Sequence, residues 1–256
     1  HLGYDVKVIE RANGAGGKLR TITGSTGEID IGPTVLTLLP IFQKLFKSVG
    51  EDIFEHVDLV RQKIIARHWW PDGTSLDLYD DFETSRDAIM NFSGSSSAIE
   101  FEKYFCDTRD LFSCFDLPVM QNPRPSILDM NRAVLSNPKI LSKMHPLRTL
   151  SSLLNYRFQD RRLRQLFGRY ATYVGGSPLE SPALLSLVWQ AEAQGVWSIK
   201  GGMRKLARVI EQLAKTRGAS FNYGTDIKEF NTKGDRVVSI TDKLEKKNAA
   251  VKFIFN

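Results

Sequence analysis

Apolar and polar positions change rhythm several times along the chain. Residues 5–10, "DVKVIE", alternate poorly and are rich in Val and Ile, which predicts a strand buried on both faces, as in a parallel sheet. "TITGSTGEIDIG" (21–32) predicts a short hairpin or loop. "PTVLTLLPIFQKLFKSVG" (33–50) predicts a helix kinked by Pro40 and closed by Gly50. In 63–79, two β-rich arms flank "PDG", which has turn chemistry, so a hairpin is expected. From 81 to 117 the period is helical, with a weak break at "SGSSS" (93–97). "NPRPS" (122–126) reads as a loop, and helices are expected at 127–136, 147–157, 160–173 and 181–194. The cleanest helix is 203–217, where Met203, Leu206, Ala207, Ile210, Leu213 and Ala214 fall on one face. After it, "NYGTDIKEF", "DRVVSIT" and "AAVKFIF" all read as strands.

The order is therefore a strand, a long and mostly helical middle, then a βα pattern with several strands. No internal repeat is visible. Boundaries are expected near 50–60 and near 196–203, where the helical insert gives way to the second βα pattern. The opening "HLGYDV" reads as a helix end with Gly3 just past it, and the first residue is not Met. The sequence is thus expected to be a fragment.

Composition narrows the class only modestly. The 256 residues suffice for one large or two small domains, and 42% hydrophobic content supports a sizeable core. The formal charge of +6 is spread along the chain. It suits an anionic partner such as a nucleotide or an acidic membrane surface, and it equally suits ordinary solubility. Cys106 and Cys114 make neither a disulfide framework nor a zinc site, which points to a reducing compartment. The four histidines, His68 and His145 among them, stand isolated in sequence and read as structural, so no metal is expected. No run of ~18 apolar residues and no signal peptide is present.

The stretch with chemistry is "YDVKVIERANGAGGKLR" (4–20). Glu10 closes the first strand. A carboxylate at such a strand end can accept from both ribose hydroxyls of an adenine dinucleotide, a charge-assisted bond worth roughly 1.5–3 kcal/mol. Gly14, Gly16 and Gly17 let a backbone approach a phosphate, and Lys18 and Arg20 add positive charge. The same residues also read as a solvated strand end and a flexible loop, and spacing alone leaves both open.

"VIERANGAGGKLRTI" resembles the segment following the dinucleotide turn in amine-oxidase-like and carotenoid-desaturase flavoproteins, where an acidic residue precedes Gly-Gly-Lys/Arg-x-Arg. "EIDIGPTVLTLLP" resembles the desaturase "D-x-GPT" segment. "RLRQLFGRYATYVGGSP" (162–178) and "GVWSIKGGMRKLARVIEQLAKTRGASFNYGTDI" (195–227) resemble the same family over long runs. The combination is most like the FAD-dependent 1-hydroxycarotenoid 3,4-desaturases, or methoxyneurosporene dehydrogenases, of the phytoene desaturase-like family.

The resemblance implies an α/β fold: a partial Rossmann-like FAD-binding domain with a largely helical substrate domain inserted. Residues 1–55 and 197–256 would form the two parts of the FAD-binding domain, lacking both ends, and 56–196 the substrate and membrane-associated domain. It also assigns roles. Glu10 would hold the adenosine ribose and Arg11 flank the adenine. Gly17, Lys18, Leu19 and Arg20 would run past the pyrophosphate, Pro33 and Thr34 would approach the flavin ring, and Ile227 would offer main-chain groups to the adenine. Tyr170, Tyr173, Gly201, Gly202 and Met203 would line a substrate channel. No catalytic side chain is assigned. The implied reaction is dehydrogenation of a C–C single bond in a hydroxylated carotenoid, the hydride passing to FAD.

A lipid-dissolved substrate implies a cytoplasmic protein peripherally attached to the membrane, with lipid rather than nucleic acid as partner. The expected docking face is 147–173. There Leu150, Leu153, Leu154, Phe158, Leu163, Leu166 and Phe167 lie beside Arg157, Arg161, Arg162, Arg164 and Arg169. The alternative for that segment is a buried apolar stripe. Alternatives for the whole are a non-catalytic polyene or prenyl binder and a redox-neutral carotenoid isomerase on the same fold.

Overall fold

The computed structural model describes residues 3–25 and 27–255. In chain order the elements are β1 (Lys7–Ile9), β2 (Thr21–Gly24), β3 (Gly27–Asp30), α1 (Leu39–Ser48), α2 (Ile53–His56), β4 (Leu59–Arg61), β5 (Ile64–Trp69) and β6 (Ser75–Tyr79). Then come α3 (Phe82–Ser93), α4 (Ser95–Phe115), a π-helical turn (Asp116–Met120), α5 (Ile127–Ser136), α6 (Ile140–Met144), α7 (Leu150–Arg157) and α8 (Arg161–Gly168). Two 3-10 segments follow, Arg169–Val174 and Ala183–Trp189, and then α9 (Gln190–Ala193), β7 (Trp197–Ile199), α10 (Arg204–Thr216), β8 (Ser220–Asn222), β9 (Ile227–Lys233), β10 (Arg236–Asp242) and β11 (Lys247–Ala249). The chain divides into two compact units. One comprises His1–Leu36, Pro40–Val60 and Ser198–Asn256, the other Thr37–Leu39 and Arg61–Trp197.

In the strand-rich unit β1 pairs in parallel with β8, Val8 opposite Phe221. β2 and β3 form an antiparallel hairpin, and β9–β10–β11 an antiparallel meander. Its apolar interior includes Phe46, Ile53, Val57, Met203 and Leu206. The parallel pairing of β1 agrees with its sequence, but its burial does not: Lys7 and Val8 are exposed. Only β8 pairs with β1 among the described residues, so Val and Ile there satisfy strand geometry without gaining cover.

The expected helix over 33–50 is shorter. It starts at Leu39, immediately after Leu38 takes a left-handed φ of 52°. Pro40 therefore sits in the first turn, where its missing N–H is harmless, rather than kinking a helix. On α10, Ile210 is exposed although it shares the apolar periodicity. Among the described residues the tail beyond Ala249 carries no strand, and Val251 and Ile254 are exposed. The helix end expected at His1 and Leu2 lies outside the described residues.

The helical unit is built by local chemistry the sequence displays. Asp81 caps α3 by accepting from the Thr84 N–H at 2.8 Å. Gly94, at φ 88°, separates α3 from α4, since that backbone favours glycine. Ser126 and Asp129 form a reciprocal capping box on α5. Thr149 and Asp160 cap α7 and α8.

These helices enclose a core dominated by aromatic rings. Phe101, Tyr104, Phe158, Phe167 and Trp189 pack with Leu78, Ile89, Leu150 and Leu163. The Phe158 and Phe167 rings stack 5.1 Å apart. Each such ring contributes on the order of 2–3 kcal/mol by burial.

That core overturns the expected docking face. Leu150, Leu153, Leu154, Phe158, Leu163, Leu166 and Phe167 are all buried. Most of the segment's cations are engaged as well. Arg157 pairs with Asp107, Arg162 with Asp160 and Arg169 with Glu192, while Arg164 bonds Asn155 and the Gln159 carbonyl. The amphipathic stripe at 147–173 faces inward.

Candidate functional site

The end of β1 and the loop after it are held by β8 and α10, all within the strand-rich unit. The Glu10 N–H donates to the Asn222 carbonyl at 2.9 Å, and the Thr225 N–H donates to the Glu10 carbonyl at 3.0 Å. The Gly224 N–H then donates to the Ala12 carbonyl at 3.0 Å, so the strand continues into a loop pinned to its neighbour. The half-buried Glu10 side chain accepts from the Ala12 N–H at 2.6 Å through Oε1. Its Oε2 makes no hydrogen bond among the described residues, which leaves one carboxylate oxygen for a hydroxyl donor.

The glycine loop is a tight bend. The Leu19 N–H donates to the Gly16 carbonyl at 2.8 Å. Gly16 has φ 126°, and a Cβ there would meet the Leu19 carbonyl oxygen at 2.9 Å and the Ala207 methyl of α10 at 3.5 Å. The bend then runs into β2, where the Ile31 N–H donates to the Arg20 carbonyl at 2.9 Å. At Gly32 a Cβ would lie 2.0 Å from the Lys18 carbonyl oxygen. The hairpin thus carries Lys18–Arg20 against the start of "GPT", and only glycine permits that approach. Arg11, Lys18, Arg20, Pro33 and Thr34 are exposed, and Gly17 and Leu19 lie beside them. None of Arg11, Lys18 and Arg20 makes an ion pair among the described residues, so three cations at this bend face solvent uncompensated.

Two residues that sequence reasoning did not single out complete the arrangement. Asp30, at the end of β3, accepts from the Met203 N–H at 2.8 Å through Oδ2. A Cβ on Gly202, whose φ is 87°, would sit 2.9 Å from that same oxygen. The "GGM" turn and the "D-x-GPT" segment are therefore one feature: Gly201 and Gly202 bring the start of α10 down onto Asp30. The buried Asp30 Oδ1 has no hydrogen-bond partner among the described residues. Arg204, the first residue of α10, donates to the Thr21 hydroxyl at 3.0 Å, and its guanidinium packs against Gly14. Met203 itself is buried. Ile227 opens β9, half-buried and opposite Asp242. The sequence signal for Asp30 was its place four residues before Thr34, and for Arg204 its place directly after "GGM".

The two tyrosines expected near a substrate channel lie in the helical unit. Tyr170 is fully enclosed, and its hydroxyl donates to Glu192 Oε2 at 2.6 Å. Tyr173 is exposed on one side, and its hydroxyl donates to Glu192 Oε1. Arg169 donates to Oε2 at 2.6 Å. Burial pushes the Tyr170 hydroxyl well above its ordinary range, with the Glu192 carboxylate adding to the effect. His68 is pushed down to about 4, chiefly by burial and then by Arg169.

A cleft of about 540 Å³ in the helical unit is lined by residues that include Asp110, Cys114, Pro118, Asp129, Arg132 and Ala133. The histidines are not all isolated in space: His56 lies 2.8 Å from Glu51, with Glu55 alongside. Glu51 is already engaged by Arg217 at 2.6 Å, and both partners hold its carboxyl below the usual range.

A family model described as flavin containing amine oxidoreductase matches residues 1–251. Hydroxyneurosporene desaturase of Cereibacter sphaeroides is 40% identical over 238 residues, which cover 93% of this chain and 48% of that protein. A 4,4'-diapolycopene oxygenase of a Methylomonas species is 26% identical over 248 residues, covering 93% of this chain and 48% of the relative. The chain thus spans about half the length of the curated relatives it matches. Wild-type putrescine oxidase bound to putrescine superposes with a TM-score of 0.58 at 13% identity, over 97% of this chain and 51% of that one, which is a likeness of fold.

Proposed function

The chain belongs to the flavin-containing amine oxidoreductase family, and on that premise we propose that it serves FAD-dependent desaturation of a C–C single bond in a hydroxylated carotenoid. The observation that carries the cofactor is the bend after β1. There a carboxylate with one oxygen unbonded among the described residues stands beside a glycine turn flanked by three cations that make no ion pair among those residues. The polyene substrate is supported by the 40% identity to a hydroxyneurosporene desaturase along nearly the whole chain.

The residues fit FAD. Glu10 Oε2 accepts from ribose hydroxyls, and Arg11 flanks the base. Gly17 to Arg20 supply backbone approach and positive charge to the diphosphate. Pro33 and Thr34 follow Gly32, where a Cβ would lie 2.0 Å from the Lys18 carbonyl oxygen. The unpartnered Asp30 Oδ1 accepts one further hydrogen bond from a ligand hydroxyl or N–H. Ile227 lies at the start of the strand after "GTD".

Bound FAD would supply the hydride acceptor for the substrate carbon. The work left to the chain is to bind, to orient and to keep water out, which needs no nucleophile. In this reading the strand-rich part holds the coenzyme and residues 56–196 hold the polyene, and Tyr170, fully enclosed, does not line a channel. Because the substrate starts in lipid, the protein docks peripherally on a membrane. No helix among the described residues is long and apolar enough to cross one.

The test uses the full-length protein carrying this chain. Glu10→Ala weakens FAD binding by about ten- to a hundredfold, as expected for a lost charge-assisted hydrogen bond. Incubation with hydroxylated carotenoid in liposomes shifts the absorption maximum to the red. Unchanged flavin affinity in the variant removes the ribose role, and an unshifted spectrum removes the desaturase reading.

A further inference from the structure

α5 is apolar on both sides. Met130, Ala133 and Val134 pack on the core formed by Leu111, Phe112, Phe115 and Ile140. Leu128 and Leu135 lie on the opposite side and Ile127 at the exposed N-terminal end, and they are 67, 77 and 76% exposed. A helix with one buried stripe normally presents polar residues outward, and three branched apolar side chains in water on ten residues depart from that rule.

Charge says what covers them. Residues 117–148 hold five cations (Arg124, Arg132, Lys139, Lys143 and Arg148) and one acid, Asp129. Asp129 is consumed by the capping box with Ser126. Lys143 is tied to Asp107 and Asp110. Arg124, Arg132 and Lys139 make no ion pair among the described residues. Leu128, Arg132 and Leu135 stand at helical spacings of four and three, so cation and apolar group alternate along one face. Long cationic side chains can lay their stems on apolar surface while the head reaches outward.

We propose that this outer face of α5 docks on an anionic lipid surface, Ile127, Leu128 and Leu135 entering the headgroup layer while Arg124, Arg132 and Lys139 meet lipid phosphates. A second copy of the chain fits less well, because it would bring these cations against like charge. The proposal deepens the membrane reading given above and relocates its contact from 147–173 to 124–139. Its test needs no carotenoid and no turnover, so its failure is separate from failure of the desaturase reading.

The full-length protein is sedimented with vesicles of phosphatidylcholine alone, or of phosphatidylcholine with phosphatidylglycerol. The parent binds the anionic vesicles at low salt. The double variant L128E/L135E binds them at least about tenfold more weakly. R132E/K139E loses most of the preference for phosphatidylglycerol and its salt dependence. Hydrogen exchange of the unaltered protein guards against a folding defect in the variants: peptides spanning 127–136 gain protection when anionic vesicles are added. Parental binding by L128E/L135E overturns the proposal. So does full protection of 127–136 before any lipid is added, which assigns the face to another part of the protein or to a second copy.

Discussion

The Tyr170 hydroxyl donates a 2.6 Å hydrogen bond to Glu192 Oε2, joining a fully enclosed ring to a carboxylate that is itself buried. Arg169 shares that oxygen, and Tyr173 donates to the other. A buried carboxylate is tolerable only with such partners, and removing it strands its donors. Arg169 is partly open to water, so the loss is less than for a dry pair. We expect Glu192→Ala to cost about 2–3 kcal/mol and Glu192→Gln clearly less, measured by urea denaturation. Equal midpoints for parent and Glu192→Ala would refute the account.

His68 gives a pH dependence of definite sign. Its folded value, about 4, lies below the ordinary 6.5, because burial and Arg169 oppose its charge, while Glu192 and Asp77 act the other way. Between these values the unfolded chain binds more protons than the folded one. Stability from this group is therefore complete above about pH 6.5 and is lost as pH falls toward 4. The melting temperature of His68→Gln should fall less steeply than the parent's across that window. Parallel profiles would exclude His68 as the source.

Gly32→Ala tests the close approach of the hairpin. The added Cβ would lie 2.0 Å from the Lys18 carbonyl oxygen, a backbone atom that cannot swing aside. We expect a loss of about 3 kcal/mol, together with weaker FAD binding in the full-length protein. Gly234→Ala is the control. It meets nothing within 4 Å and carries only its left-handed φ of 58°, worth about 1 kcal/mol. Similar stability for the two variants would show that the contact is relieved elsewhere.

Asp30→Ala removes the acceptor that anchors the Met203 N–H at the start of α10. It should cost about 1–2 kcal/mol by thermal unfolding, whereas Asp30→Asn keeps an oxygen in place and stays near the parent. If both variants match the parent, the turn at Gly201–Gly202 is held by other contacts.

What the sequence revealed was chiefly local. The break at Gly94, the "PDG" hairpin and the start of α5 at Ser126 follow from turn and cap chemistry carried within a few residues. Periodicity also placed α3, α4, α5, α7, α8 and α10, but it read the 3-10 segments Arg169–Val174 and Ala183–Trp189 as α-helix and missed the short α2 and α6. It could not say which apolar stripe finds a partner: 150–167 turned inward, while α5 kept apolar residues outside. The Glu192 cluster joins residues about twenty positions apart, and Asp30 meets Met203 across 173 positions, so neither left a local signal. The glycine bend was legible because its composition is unusual, whereas the bareness of β1 was not, since Val and Ile report backbone preference more than cover.

The β1–β8 ladder is two strands wide, and both its flanks are open among the described residues, with Val6 and Val8 uncovered. Such a flank offers unsatisfied amides and carbonyls in a row, a template on which any stray extended peptide can grow. Prepared by itself, this stretch of chain would be expected to self-adhere at rising concentration. A lysine in place of Val8 should then do more for its solubility than any repair of the helical core.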